Sequence, residues 1–296
     1  MILHTNTSQG YFLDTLGTKW FHDTTYTVNN IPAGHKKLLY VSEAGGPTLA
    51  QVQQAAAVQP GSVWYILGEP NRRGPNDGNY ITVTDSMIQS LHDLYVMIRQ
   101  VDPTAKITSP SVLNWDFTCN GCGGYKPGHQ WMDEFRNAYL AKYGVEPPVD
   151  IWAMDVYPID WSSLPSLRSD VIEAQVTALA FWPHRNGKPI WLTELATLFG
   201  YSQSTSCTIG ANQYPFPAGT YQTQQVLDYM KTTFDWLETN ATAMNIERWF
   251  QFISHADFTQ CNAGGYFGIT LFNGGNPGAA LSATGQYYYK RVYHLP

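Results

Sequence analysis

Short apolar runs alternate with amphipathic segments along most of this chain, and this alternation constrains the fold more than any other feature. Strand-like runs occupy residues 18–23, 37–42, 62–69, 106–112, 149–157, 189–194 and 246–253. Helical spacing occupies residues 49–58, 84–100, 130–143, 166–181, 221–240 and 282–292. Strands that alternate with helices predict a parallel sheet joined by crossover helices.

The predicted fold is therefore an α/β fold of the (β/α)8 TIM barrel type, in one catalytic domain that covers residues 1–296. A chain of 296 residues suits one large domain, and it contains no internal repeat or low-complexity linker. Seven predicted strands are one fewer than this barrel needs. We expect either a cryptic strand within residues 1–16 or a barrel that is modified there.

Charge and composition exclude several classes of function. The net charge of -6 and the absence of a Lys and Arg cluster argue against nucleic acid as a partner. No apolar run approaches the ~20 residues that cross a bilayer, so no membrane partner is expected. No phosphate-binding or dinucleotide-binding glycine motif is present, and one Cys-x-x-Cys without a second pair does not make a zinc site. We expect a monomer with no cofactor and no metal.

The four cysteines favour disulfides. Cys119 and Cys122 lie in one glycine-rich loop, whereas Cys207 and Cys261 fall in two later loops. We expect the pairs 119 with 122 and 207 with 261. Paired loop cysteines and a charged fraction of only 14% predict a secreted protein, although this chain shows no export signal.

Two glutamates lie at the ends of strand-like runs, Glu69 after residues 62–68 and Glu194 within residues 189–195. Barrel enzymes hold their reacting groups at the carboxyl ends of strands, so two such carboxylates predict an acid and a base. The alternative for each glutamate is a salt-bridged strand terminus. The chain also has 10 Trp and 19 Tyr, which suit sugar platforms as well as a large core.

Three motifs carry a resemblance to a known family. Gly68-Glu69-Pro70-Asn71, the run from Asp150 to Tyr157-Pro158, and Trp191-Leu192-Thr193-Glu194 resemble clan A glycoside hydrolases. The resemblance implies a (β/α)8 barrel that hydrolyses β-linked glycans with retention of anomeric configuration. It also implies that Glu69, after strand four, is the acid/base and that Glu194, on strand seven, is the nucleophile.

The chain departs from the clan pattern at two positions. Gly68 stands where the clan has an Asn that donates to the substrate 2-hydroxyl, and Asn71 or Asn114 are candidate replacements. Asp155 stands near the place where relatives often have a His, and we keep it as a candidate substrate-binding residue.

Further site residues follow from their positions near strand ends. Tyr157 shares a strand face with Asp155 and is expected to hydrogen-bond and orient Glu194, with an ordinary packed tyrosine at the barrel rim as the alternative. Trp249, on strand eight, is expected to provide an aromatic platform for the sugar. The remaining candidates for substrate binding, each of which could instead be packed in the core or a loop, are Trp20, His22, Trp115, Trp161 and His255.

The sequence thus predicts a secreted, metal-independent, retaining endo-glycosidase that acts by double displacement on a polysaccharide or oligosaccharide of the β-glucan or β-mannan type. Two alternatives stay open. The first is a catalytically impaired carbohydrate-binding barrel, suggested by Gly68, and the second is a transglycosylase that uses the same site.

Overall fold

The structure of the protein is a computed structural model. It describes residues 1–3, 9–43, 45–72, 81–116, 126–158, 167–197, 207–209, 212–214, 223–255 and 270–295. The four cysteine side chains and Trp161 lie outside this description, so the two disulfides and the Trp161 site remain predictions.

Seven parallel strands form a nearly closed barrel. Neighbours pair in the order β1 (Trp20–Phe21), β2 (Lys36–Val41), β3 (Val63–Gly68), β4 (Lys106–Leu113), β5 (Trp152–Val156), β6 (Ile190–Leu195) and β9 (Ile246–Gln251). A separate antiparallel hairpin joins β7 (Cys207–Ile209) to β8 (Asn212–Tyr214), inside the long loop that follows Glu194. The predicted α/β barrel is confirmed, and each predicted strand overlaps an observed one.

Residues 1–3 lie in the gap between the first and last of these strands. The Leu3 N–H donates to the carbonyl of His22, just after β1, at 2.8 Å. On the other side, the Ile2 N–H donates to the carbonyl of Gln251 in β9 at 3.0 Å. These three residues therefore act as the missing first strand, and β3 and β6 become the fourth and seventh strands of the barrel.

Helices follow most strands and cover the outside of the barrel. They are α1 (Gln9–Thr15), α2 (Leu49–Val58), α3 (Asp85–Val101), α4 (Gly128–Tyr143), α5 (Ser169–Ala180), α6 (Thr223–Met244) and α7 (Ala283–Val292). The sequence predicted α2 to α7 but not α1. Thr84 caps α3 by accepting a hydrogen bond from the Met87 N–H, as its residue type suggests. No helix in the described ranges is both long enough and apolar enough to cross a membrane.

Side chains alternate between two cores, one inside the barrel and one beneath the helices. Tyr65 packs inside the barrel with Trp191 and Phe250, whereas its neighbour Trp64 packs outside with Ile107. Parallel strands covered on both faces are apolar throughout, which explains their continuous apolar runs. The alternation places Tyr65 in the barrel interior, beneath the carboxyl ends of the strands.

Candidate active site

Three carboxyl groups converge at the carboxyl ends of the strands. Glu69 follows the last residue of β3, Asp155 lies in β5, and Glu194 lies in β6. Asp155 and Glu194 are opposite each other in the register of β5 and β6. Each group offers an oxygen within 4.8 Å of the oxygens of the other two. Residues 125 positions apart in the chain therefore meet because the barrel brings their strands together.

Glu69 sits on a strained turn beside a cation. Its backbone φ is +53°, and Leu67 two residues earlier has φ of +46°. A non-glycine residue with positive φ is uncommon, and such strain concentrates at functional sites. The Glu69 side chain is 16% exposed, and Arg72 Nε lies 2.8 Å from its Oε2. Burial raises the pKa of Glu69, and the Arg72 charge opposes that rise.

Glu194 accepts a short hydrogen bond from a neighbouring phenol. The Tyr157 hydroxyl donates to Glu194 Oε2 at 2.6 Å. This bond favours the ionised carboxylate, whereas burial and the charges of Asp155 and Glu69 raise the pKa of Glu194. The Phe252 ring lies edge-on to Tyr157, with 6.2 Å between ring centroids. The hydrogen bond that the sequence predicts between Tyr157 and Glu194 is thus present, and the orienting role of Tyr157 stays a prediction.

Asp155 is fully buried in a cage of hydroxyl groups. Tyr65 donates to its Oδ2 at 2.8 Å, and Ser111 and Thr193 donate to its Oδ1 at 2.9 and 2.5 Å. Burial and the charge of Glu69 raise the pKa of Asp155 to about 7, although these hydrogen bonds oppose the rise. Asp155 therefore lies beneath Glu69 and Glu194 with its oxygens already hydrogen-bonded, and its role in substrate binding stays a prediction.

The site is built for proton transfer. Three negative charges within 4.8 Å of one another repel, so ionising all three carboxyl groups is unfavourable. The cluster therefore keeps a proton near neutral pH. Glu69 and Glu194 are partly exposed and can meet a ligand. Three clustered carboxylates can also bind a metal ion. Here each carboxyl group already has a protein partner: Arg72 pairs with Glu69, Tyr157 donates a hydrogen bond to Glu194, and the hydroxyl cage surrounds Asp155.

An Asp155→Asn variant is expected to lose part of the pH dependence of folding stability. The Asp155 pKa is about 7 in the folded state, against an ordinary value of 3.8, so the folded chain binds more protons between these values. The free energy of unfolding must then fall as the pH rises from 3.8 to about 7. This group contributes at most about 4 kcal/mol to that fall. Urea denaturation at about pH 4.5 and about pH 7.5 measures it.

The matched control for this variant is Asp93→Asn, which changes an exposed aspartate on α3. It should keep the wild-type difference in stability between the two pH values. An Asp155→Asn variant that also keeps this difference would contradict the raised pKa.

The two asparagines expected to replace the missing clan residue are both committed to the backbone. Asn71 is buried, and its amide donates to the carbonyls of Leu113 and Lys126 while its oxygen accepts from the Leu113 N–H. Asn114 is buried as well, and its amide group exchanges two hydrogen bonds with the backbone of Tyr157. No observation places either side chain against a sugar, and their role in substrate binding stays a prediction. The two residues fix the loops that carry the site.

Three further candidates for substrate binding, His22, Trp115 and His255, are buried. His22 lies inside the barrel, where burial lowers its pKa to about 4 and its Nε2–H donates to the Thr193 carbonyl at 3.0 Å. Trp115 packs edge-on to Trp182 beneath the helices. His255 is buried and stacks on Phe12, with 5.0 Å between ring centroids. Their buried positions favour the alternative of packed core residues, and their role in substrate binding stays a prediction.

Trp249, predicted as a sugar platform, and Trp20, predicted as a substrate-binding candidate, both lie away from the carboxyl cluster. Trp20 begins β1 at the opposite end of the barrel, where the Arg248 guanidinium covers its ring at 4.6 Å. Trp249 is on the outer face of β9 and lines a cavity of about 380 Å³ with Phe234 of α6 and Tyr288 of α7. The ring that does face the site from the end of β9 is Phe252, three residues further along.

Sequence reasoning missed several residues of the site. Arg72 carries only a weak signal, its position three residues after Glu69, because these residues are not helical. No such signal exists for Ser111, Thr193 and Tyr65, because their hydroxyls reach Asp155 only once the strands are side by side.

Comparison with known proteins places the chain in a family. The family model described as "Glycosyl hydrolase catalytic core" matches residues 3–288. No curated protein matches the chain in sequence.

Several solved structures share the fold. A variant of a GH128 subgroup I endo-beta-1,3-glucanase from Amycolatopsis mediterranei, in complex with laminaritriose and laminaribiose, is 18% identical, covers 97% of this chain and 96% of its own, and has a TM-score of 0.61. A GH128 subgroup III curdlan-specific exo-beta-1,3-glucanase from Blastomyces gilchristii is 16% identical, with 97% of each chain covered and a TM-score of 0.60.

A third neighbour has a different description. A GH128 subgroup VII oligosaccharide-binding protein from Trichoderma gamsii is 16% identical, covers 100% of this chain and 95% of its own, and has a TM-score of 0.58. Identities this low carry the fold alone, whereas the family match spans nearly the whole chain. The chain therefore belongs to the glycosyl hydrolase catalytic-core family.

Proposed function

We propose that this glycoside hydrolase is a retaining, endo-acting β-1,3-glucanase that uses Glu69 as acid/base and Glu194 as nucleophile. The observation that carries the proposal is the approach of the two carboxyl groups, whose oxygens come within 4.8 Å of each other. Retaining enzymes place these groups ~5 to 5.5 Å apart, whereas inverting enzymes leave ~6.5 to 9.5 Å for a water. The short separation favours direct attack by a carboxylate.

The proposed reaction has two displacements. Glu194 attacks the anomeric carbon while Glu69 gives its proton to the departing glycosidic oxygen, so the bond to that oxygen breaks as the bond to Glu194 forms. Glu69 then takes a proton from water, and that water displaces Glu194 from the anomeric carbon. Burial raises the pKa of Glu69, which suits an acid, and the Tyr157 hydrogen bond favours the ionised form of Glu194.

The choice of substrate rests on the structural neighbours and on charge. Endo- and exo-beta-1,3-glucanases, one of them curdlan-specific, share this fold. The net charge of -6 favours a neutral polysaccharide over a strongly anionic one. β-1,3-Glucan is thus preferred over the β-mannan that the sequence alone also allowed.

Hydrolysis of laminarihexaose tests the proposal. Proton NMR during the first minutes should show the β-anomer of the new reducing end before mutarotation produces the α-anomer, and product analysis should show internal cleavage to mixed short oligosaccharides. First appearance of the α-anomer would contradict the retaining mechanism. Release of glucose alone would contradict endo action, and larger products at high acceptor concentration would indicate transglycosylation.

An oligosaccharide-binding protein is the second candidate. The Trichoderma gamsii neighbour supports it, as does Gly68 in place of the clan's Asn. This candidate predicts binding of laminari-oligosaccharides by calorimetry with no release of reducing sugar, even from an activated aryl glycoside. The convergence of Glu69 and Glu194 favours the hydrolase, because binding alone requires no such pair.

We also propose that the protein acts outside the cell as a monomer. A polymeric substrate requires an enzyme that reaches it there, and the low charged fraction of 14% is consistent with that setting.

A further inference from the structure

The residue before Glu69 is a glycine for reasons of space. A Cβ at Gly68 would lie 2.9 Å from the Tyr40 hydroxyl oxygen and 3.1 Å from the Tyr65 hydroxyl oxygen. A contact under 3.0 Å is not tolerated by a real Cβ, so any larger side chain would displace the Tyr40 phenol. Gly68 does not have a positive φ, unlike Leu67 and Glu69 on either side of it. The backbone therefore does not require glycine here, and the two phenols do.

We propose that the Tyr40 hydroxyl, seated in the space that Gly68 leaves, donates a hydrogen bond to the sugar 2-hydroxyl at the cleavage point. This proposal rests on the proposed function. It makes Tyr40 a residue that recognises the sugar during the reaction, and it explains how the chain can act without a side chain at position 68.

Tyr40 is held where a donor is needed. Its ring packs edge-on against Tyr65, with 4.8 Å between centroids, and its oxygen lies 2.9 Å from the place that a Cβ of residue 68 would take. Burial raises the pKa of Tyr40, and the charges of Asp155, Glu194 and Glu69 raise it further. The phenol thus keeps its proton at any working pH and can donate it.

The hydroxyl proton of the neighbouring phenol, Tyr65, already has an acceptor in the protein. Tyr65 donates to Asp155 Oδ2 at 2.8 Å, so its proton is directed into the buried cage. For Tyr40, the described part of the chain offers no hydrogen bond from the hydroxyl proton to a protein acceptor, and the residue is only partly buried. Of the two phenols at Gly68, Tyr40 is the one with a proton to give to a ligand.

Sugar chemistry selects the partner. The anomeric carbon must lie between Glu69 and Glu194, and it has two ring neighbours, the ring oxygen and C2. Positive charge develops on the anomeric carbon and the ring oxygen in the transition state, so a donor at the ring oxygen would be unfavourable. The 2-hydroxyl is the remaining group beside the reacting bond, and hydrogen bonds to it strengthen in the transition state.

The experiment compares Tyr40→Phe with wild type on two substrates: the dinitrophenyl β-glycoside of laminaribiose, and its analogue that lacks the 2-hydroxyl on the glucose bearing the dinitrophenol. On the first substrate, Tyr40→Phe should lower both kcat and kcat/KM by about 100-fold with little change in KM, because the contact forms mainly in the transition state. On the second, the variant and wild type should differ by less than about 3-fold.

An equal loss on both substrates would overturn the proposal, because Tyr40 would then act on the carboxyl groups or on packing. Wild-type rates on both substrates would overturn it too. Tyr143→Phe, which removes a phenol hydroxyl on α4 that contacts Gln89, is the matched control and should match wild type on both. A wild-type protein that cleaves neither substrate would instead refute the proposed function.

The Gly68→Ala variant is a second test of the Tyr40 hydroxyl. The new methyl group must displace the Tyr40 hydroxyl, so this variant should show a similar loss that depends on the 2-hydroxyl. In the Tyr40→Phe background the alanine should cost much less, because the oxygen at 2.9 Å is gone. Full additivity of the two losses would contradict the shared mechanism.

Discussion

Replacing Glu194 by alanine is expected to lower kcat on laminari-oligosaccharides by roughly 10⁴-fold, because the carboxylate that forms the covalent intermediate is gone. Glu194 lies partly exposed at the end of β6, with the Tyr157 hydroxyl 2.6 Å from its Oε2. Within the described ranges, the third carboxyl group of the cluster cannot take its place, since Asp155 is fully buried. Initial rates measured at saturating substrate test this expectation.

Azide distinguishes loss of a nucleophile from loss of the fold. In Glu194→Ala, azide can enter the vacated space and attack the anomeric carbon from the same side, while Glu69 still protonates the leaving oxygen. The expected product is an α-glycosyl azide, identified by NMR, with partial recovery of the rate. Glu173→Gln on α5, outside the barrel, is the control and should keep wild-type activity. A Glu194→Ala variant with wild-type hydrolysis would refute the assignment.

The sequence predicted the barrel well because its strands are buried on both faces and its helices show one apolar side. Helix α2 (Leu49–Val58) was predicted to the residue. The first strand was invisible because residues 1–3 are too short to show any period, and they are recognised only by their hydrogen bonds to Gln251 and His22. Helix α1 was missed for a similar reason, since seven residues make a weak pattern.

The two glutamates were predictable for the same reason as the strands. A charged residue that ends an apolar run must lie at a strand terminus, and parallel strands present those termini on one face. Their separation was not predictable, because it depends on the register shifts between β3 and β4 and between β5 and β6.

Residue type does not reveal which way a side chain points, so the sequence could not show where the predicted substrate-binding residues lie relative to the carboxyl cluster. Asn71 and Asn114 are suitable donors, yet nearby backbone groups consume them. Trp249 and Phe252 are three positions apart and so lie on opposite faces of the chain, but an apolar run gives no sign of which face meets the site. The proposed role of Tyr40 could not be predicted from the sequence, because it depends on the space left by the missing side chain at Gly68.

Glu69→Ala is expected to separate the two halves of the reaction. Hydrolysis of glucan should fall by roughly 10³-fold, because the glycosidic oxygen leaves poorly without a proton. A dinitrophenyl glycoside needs no such proton, so Glu194 should still displace dinitrophenol. The second step then lacks its base, and the glycosyl-enzyme should accumulate. Stopped-flow measurements should show a burst of dinitrophenol, and mass spectrometry should find the sugar on the peptide that contains Glu194.

Azide should rescue Glu69→Ala with the opposite stereochemistry to Glu194→Ala. It replaces water in the second displacement, so the product is a β-glycosyl azide, and it needs no base because it is already an anion. The pH profile carries an independent signature: burial raises the pKa of Glu69, so wild-type activity falls at high pH as its proton is lost. That alkaline limb should vanish in the variant, because alanine has no proton to lose. The contrary result is an equal loss of activity on glucan and on the dinitrophenyl glycoside, with no burst. It would mean that Glu69 is not the acid/base and serves only in the ion pair with Arg72.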